Sequence, residues 1–262
     1  MKIEGSALDN PVSLRRDGNV AIITIDNPPV NALRHGVRKG IMENVIAARD
    51  DASVEAIILT GAGRTFVAGA DITEFGKPPQ APSLIDVIAT LDEVKKPTIA
   101  AVHGTPLGGG LELTMGCHFR VAAAGTRLGL PEIKLGLIPG AGGTQRLPRL
   151  VGIEKALPMI LSGDPIPAKD ALAAGLVDDI VEGDLVAGAV KFARSVLAAK
   201  RPLERVKDRE DKLEEIRTNP AKFDAIVAQH AKKTRGQEAR SVRATSTRSG
   251  SRRRNAAVAA WT

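Results

Sequence analysis

TIAAVHGTPLGGGLELTMGCHFRVAA, Thr98 to Ala123, holds two apolar strands on either side of a glycine turn and a short helix. Thr98 to Val102 reads as a buried strand. Gly108, Gly109 and Gly110 open a helix over LELTMGC, and Phe119 to Ala123 reads as the next strand. Working outward, the same alternation repeats. Val20 to Ile25 (VAIITI) is a β-branched apolar run ended by Asn27-Pro28-Pro29, and Ala56 to Leu59 is another strand. From Asn31 onward Leu33, Val37, Ile41 and Val45 recur every four residues and predict a helix. Leu84, Val87, Ile88, Leu91 and Val94 predict a second, and Val186 to Ala199 and Ala221 to Lys233 predict two more. Pro167 stands near the start of a further helix and Gly175 near its end. Pro158 is expected to interrupt the helical run ALPMILSG. Strand and helix alternate through two-thirds of the chain and helices dominate the rest, which predicts an α/β architecture with much parallel sheet.

Composition narrows the function classes. The 262 residues can bury a sizeable core, and one cysteine, Cys117, excludes an internal disulfide framework. There is no apolar run long enough to suggest a membrane span, and MKIEGSALDNPVS lacks a signal-peptide core, so the expected compartment is the cytoplasm. The net charge of +7 is misleading, because six arginines and no acid lie between Arg240 and Thr262, which leaves the first 239 residues at +1. That distribution, with 2% aromatic residues and no tyrosine, argues against a nucleic-acid-binding fold. The Ser-, Thr- and Arg-rich tail is expected to be disordered.

Three segments could carry chemistry. In Ala101 to Gly116, glycines at a loop-to-helix junction let the backbone approach a ligand, and the free N–H groups there could cradle an oxyanion or phosphate. Glu112 falls in the first turn of that helix. The spacing equally suits a plain glycine turn followed by an acid that complements the helix dipole. In Gly129 to Arg146, Glu132 sits among apolar neighbours, which would raise its pKa and suit a general acid, or it is a solvated loop acid. Neither segment matches a Walker A loop or a dinucleotide fingerprint. In Phe66 to Phe75 (FVAGADITEF), small residues expose backbone groups, and Asp71 with Glu74 forms a candidate capping box for a helix starting at Ile72. His35 reads as a surface residue and His103 as a hydrogen-bonded structural one, while His118 and His230 show no partner pattern. No spacing matches a metal site, and Cys117 reads as core.

Taken together, the order F-V-A-G-A-D-I, then H-G-x-x-x-G-G-G-x-E, then L-P-E-x-x-L-G-x-x-P-G-x-G-G-T-Q-R-L resembles the crotonase family of enoyl-CoA hydratases and isomerases over about Leu14 to Leu197. The wider wording is similar to the N-terminal hydratase region of multifunctional fatty-acid oxidation proteins that also carry a 3-hydroxyacyl-CoA dehydrogenase. No dehydrogenase region follows here. The tail departs from that pattern and suggests truncated or out-of-frame coding. The resemblance implies a crotonase-type spiral of ββα units with a helical C-terminal region: a core domain over 1–200, a helical segment over 201–239 and a basic tail over 240–262. It implies hydration of 2-trans-enoyl-CoA thioesters in fatty-acid β-oxidation, with no cofactor beyond the coenzyme A of the substrate. Backbone N–H groups of Ala70 and Gly109 would hold the thioester oxyanion. Glu112 would deprotonate the water, Glu132 would protonate the α-carbon, and Gly140 would help position the water. Ala68, Ala70, Asp71 and Ile72 would meet the adenine end of coenzyme A. The expected assembly is a homotrimer or dimer of trimers, with no nucleic-acid or membrane partner. The alternatives are a 3,2-enoyl-CoA isomerase or another acyl-CoA enzyme of this fold, and an RNA-binding or scaffold protein acting through the arginine-rich tail.

Overall fold

A computed structural model describes residues 10–74 and 76–230. Residues 1–9, Phe75 in the third motif and the tail expected to be disordered lie outside the described residues. No helix among the described residues is long and apolar enough to cross a membrane.

One six-stranded sheet organises the molecule. Strands β1 (Val12–Asp17), β2 (Val20–Ile25), β3 (Ala56–Gly61), β4 (Thr98–Val102) and β5 (Phe119–Ala123) follow in spatial as well as chain order. A late strand, β8 (Asp179–Val181), completes the edge beside β5. Within this sheet β1 runs antiparallel to β2, and the other pairs are parallel. A small second sheet pairs β6 (Arg127–Leu128) with β7 (Ile166–Pro167). The continuous apolar strands follow from burial on both faces. Ala21, Ile23 and Ile25 of β2 join one core with Ile57, Leu59, Ala100 and Val102. The alternate residues Val20, Ile22, Ala56, Ile58, Ile99 and Ala101 face a second core.

Helix α1 (His35–Asp50) places Val37, Ile41 and Val45 in the first core, as do α2 (Leu84–Asp92) and α3 (Gly109–Thr114) with their apolar residues. Helices α4 (Gly143–Val151) and α5 (Ile153–Ser162) extend that layer, and α6 (Ala168–Ala174) closes it beside the small sheet. Helix α7 (Leu185–Ala198) covers the other face with Ala189, Val190, Ala193 and Val196. After it, a 3₁₀ turn over Val206–Asp208 buries Val206 in the first core. The short α8 (Glu214–Thr218) and a helical stretch over 220–230 pack Ile216, Phe223, Ile226 and Val227 on Ile153 and Leu157 of α5.

Two expectations need correction, and one strand went unread. The first helix begins at His35, not near Asn31. Asn31 is buried with φ of 54°, and its side-chain amide donates to the carbonyls of Ala62 and Thr65, each at 2.9 Å. Pro158 does not interrupt α5, which runs through it. The bond Pro158 cannot donate would go to the carbonyl of Glu154, an exposed first-turn residue that water can satisfy. Strand β1, whose residues after Val12 are half-buried to exposed, gave no apolar run to recognise.

Candidate active site

Parallel pairing of β3 with β4, with Thr60 opposite Ala101, ends both strands at the same edge of the sheet. In open α/β sheets that edge is where ligands bind. The loops that leave it run side by side. Phe66 N donates to His103 O at 3.0 Å, Thr105 N to Thr65 Oγ1 at 2.9 Å, and Leu107 N to Val67 O at 3.2 Å. A third segment joins them where Gly108 N donates to Gly129 O at 2.9 Å. The three sequence motifs thereby meet at one place although up to about 70 residues separate them.

Gly108 caps α3 with φ of 52° and ψ of −126°, a conformation that favours glycine. It brings Gly109 against the first loop: a Cβ built on Gly109 would lie 3.6 Å from Ala70 N. Neither amide donates to a backbone carbonyl among the described residues. Two backbone N–H groups close together, one of them at a helix N-terminus, make an arrangement that could suit negative charge.

The two glutamates lie beside this pair in contrasting surroundings. Glu112 is 2% exposed, and its Oε1 accepts from Ala141 N at 2.7 Å and Gly143 N at 2.8 Å. Burial raises its pKa, while the two amides and the Arg146 charge oppose the rise. Glu132 stands on a 3₁₀ turn over Pro131–Leu135, half-buried, and its Oε1 approaches Gly108 so closely that a Cβ there would lie 2.9 Å away. Its Oε2 is buried and has no hydrogen-bond partner. Burial lifts its pKa to about 7, with the Glu112 charge adding to the rise. Both carboxyls are therefore raised by burial, but at Glu112 two amides and a cation offset part of the rise, whereas Glu132 has no such support and titrates at about 7. Ile133, Leu135, Leu137 and Ile138 beside Glu132 all expose apolar surface.

The remaining candidates separate. Gly140 is exposed and open space surrounds it; the amides on Glu112 belong to its neighbours Ala141 and Gly143. Ala68 spends its N–H on Val30 O at 3.0 Å. Asp71 accepts from Thr73 N at 2.9 Å, a bond that lowers its pKa, and Ile72 is 69% exposed. The capping box expected with Glu74 forms only in this half. Residues Ile72–Glu74 make a 3₁₀ turn, and Glu74 instead accepts from His35 N and Arg38, each at 2.7 Å. Arg38 also donates to the carbonyls of Leu33, Gln80 and Pro82, and the His35 ring nitrogen lies 2.9 Å from Ala81 O, so these two residues hold the 76–83 segment. A reciprocal capping box does occur at Ser83 and Asp86, which sequence reading passed over.

Ala70 and Asp71 line a cleft of about 800 Å³ walled by Leu33, Leu84, Arg34 and Lys77. A similar cavity of about 840 Å³ lies away from the carboxylates, between α5, α6 and the 220–230 helix. His103 Nε2 donates to Gly63 O at 3.0 Å, a hydrogen bond of the kind expected. His118 does have a partner, Thr98 Oγ1 at 2.7 Å, and burial drives its pKa to about 4. Cys117 is buried, and desolvation pushes its thiol to about 12. Among the described residues, no group of three or more His, Cys, Asp or Glu could hold a metal ion.

Comparison with known proteins gives consistent matches. Residues 15–245 match the family model described as enoyl-CoA hydratase/isomerase. A "Probable enoyl-CoA hydratase" of Bacillus subtilis is 49% identical over 175 residues, which is 64% of this chain and 68% of that protein. The "Peroxisomal bifunctional enzyme" of Danio rerio is 45% identical over 175 residues, 67% of this chain and 24% of that protein. The chain thus spans about a quarter of the length of the bifunctional relatives it matches. The crystal structure of an enoyl-CoA hydratase from Bacillus anthracis superposes with a TM-score of 0.67 at 30% identity, covering 85% of this chain and 90% of that one.

Proposed function

The chain belongs to the enoyl-CoA hydratase/isomerase family, and on that premise we propose that it adds water to 2-trans-enoyl-CoA thioesters to give 3-hydroxyacyl-CoA. The observation that supports this most is the contrast between the two carboxylates, Glu112 held by two amides and Glu132 with a pKa near 7. The thioester oxygen accepts from Ala70 N and Gly109 N. Glu112 takes a proton from water as its oxygen bonds to the β-carbon. The carbon–carbon π electrons move to the thioester as an enolate, whose oxyanion the two amides stabilise. Glu132 then delivers its proton to the α-carbon. Proton return from Glu112 to Glu132 restores the starting state. Gly140 carries a supporting backbone contact to the water.

The cleft at Ala70 and Asp71 takes the coenzyme A portion, with the Ala68 to Ile72 backbone toward adenine. Arg34 and Lys77 supply positive charge for its phosphates. Coenzyme A enters as part of the substrate, and the chemistry needs no further cofactor. The same reading places the chain in the cytoplasm as a homotrimer or dimer of trimers, in which a neighbour would cover the apolar surface around Ile133 to Ile138. It divides the chain into a core over 1–200, a helical segment over 201–239 and a tail from 240.

The test is ultraviolet loss of the conjugated thioester on mixing with crotonyl-CoA, with Glu132→Gln in parallel. Turnover by the parent and near-complete loss in the variant are expected. A folded parent inactive on short and long enoyl chains would reject hydration. Activity on a 3-enoyl-CoA that survives Glu112→Gln would assign isomerisation instead, with Glu132 moving the proton alone.

A further inference from the structure

We infer that Arg146, clamped by Asp92, is a positioning residue that holds the Ala141 and Gly143 amides on Glu112. The inference rests on the proposed hydratase reading, because it concerns the base of that reaction. Arg146 lies one turn into α4, whose first residue, Gly143, donates to Glu112 Oε1 at 2.8 Å. Its guanidinium is turned inward, 8% exposed, and makes a bidentate pair with Asp92 of α2: Nη1 to Oδ1 at 3.0 Å and Nη2 to Oδ2 at 2.6 Å. Nη1 also donates to Met115 O, the C-cap of α3, at 3.1 Å. One side chain thereby ties α4 to α2 and to the far end of the helix that carries Glu112.

Asp92 is 4% exposed and receives a second cation, Lys207 Nζ at 3.1 Å, from the 3₁₀ turn after α7. A buried bidentate pair is a poor source of net stability but a strong constraint on geometry. Here the constraint ends on the catalytic carboxylate. Two charged groups bear on Glu112: Arg146 from α4, favouring its ionised form, and Glu132 from the 3₁₀ turn, whose own pKa the Glu112 charge raises. Asp92 and Lys207 face Arg146 from its other side.

The charge and the fork of Arg146 make separable predictions. Arg146→Lys keeps the charge but loses the bidentate geometry. On crotonyl-CoA its kcat should fall about 10-fold or more with KM within about 3-fold, since misplaced catalytic groups cost rate rather than ground-state binding. Its acidic limb of kcat/KM against pH should stay in place. Arg146→Gln also removes the charge, so kcat should fall about 100-fold and the acidic limb should move to higher pH. A purely structural role would lower thermal stability in both variants and leave kcat and the limb of the folded protein unchanged, which would overturn the inference. If Arg146→Gln does not fold, the kcat of Arg146→Lys decides alone. Glu112→Gln run beside them separates the two failures. An active Glu112→Gln rejects the hydratase reading, whereas an inactive one with unaffected Arg146 variants rejects only the clamp.

Discussion

Replacing Glu132 with glutamine should make the protein more stable at pH 8 while abolishing its reaction. Burial raises the carboxyl from 4.5 to about 7 in the folded state. At pH well below 4.5, folded and unfolded chains are both protonated, and Glu132 imposes no cost. As pH rises from there to about 7, the unfolded chain releases its proton first, so stability falls; above about 7 the cost is constant. At about 1.4 kcal/mol per pH unit, the full rise corresponds to roughly 3 kcal/mol. Solvent reaches this half-buried side chain, and screening reduces the figure to about 1.5–2 kcal/mol. Glutamine has nearly the same shape and never ionises. At pH 8, Glu132→Gln should therefore exceed the parent by about 1.5–2 kcal/mol, a rise in Tm of roughly 4–7 °C for a domain of this size. At pH 5 the gap should shrink to less than about 0.5 kcal/mol. Urea unfolding of both proteins at the two pH values measures it directly. An equal gap at both pH values, or a variant less stable at pH 8, would refute a raised carboxyl at this position.

Three further outcomes follow from the same geometry. The rate of the parent on crotonyl-CoA should decline as pH rises through about 7, because Glu132 must hold its proton to deliver it; a profile flat to pH 9 would contradict that. Glu112→Gln should lower kcat by about 10³-fold with a small change in KM, read by the same ultraviolet assay, since it removes general base catalysis alone. Gly143→Ala would bring a Cβ within 2.9 Å of Glu112 Oε1 and of Pro139 Cβ. It should cost about 10- to 100-fold in kcat through displacement of the base, and normal kinetics would show that α4 can shift freely.

Much of this architecture could be read along the chain, and the reason is local. Strands β2, β4 and β5 are buried, so their apolar runs announce them. Strand β1 lies at the sheet edge with Arg15 and Arg16 exposed, and its sequence carries no such signal. The glycines of Gly108 to Gly110 marked a backbone that approaches something closely. Each glutamate taken alone fitted a mundane role as well as a chemical one, and the family resemblance was needed to join them. Glu74 shows why local rules stop short. Its spacing from Asp71 fits a cap, but Arg38 and the His35 amide, both distant in sequence, compete for it and win. The Asp92–Arg146 pair had no sequence signal at all, because 54 residues separate its members and only the packing of α2 and α4 against α3 brings them together.

Ala70 and Gly109 are anchored within about ten residues of the ends of β3 and β4, whereas the 76–83 segment that walls the cleft hangs on Arg38 and His35. This is a division between a fixed anvil and an interchangeable fence. A segment of different length between Gly76 and Ser83 could be spliced onto the same two anchors without shifting the Ala70 and Gly109 amides. The molecules admitted could then drift widely across descendants of this sequence while the reaction performed on them stayed the same.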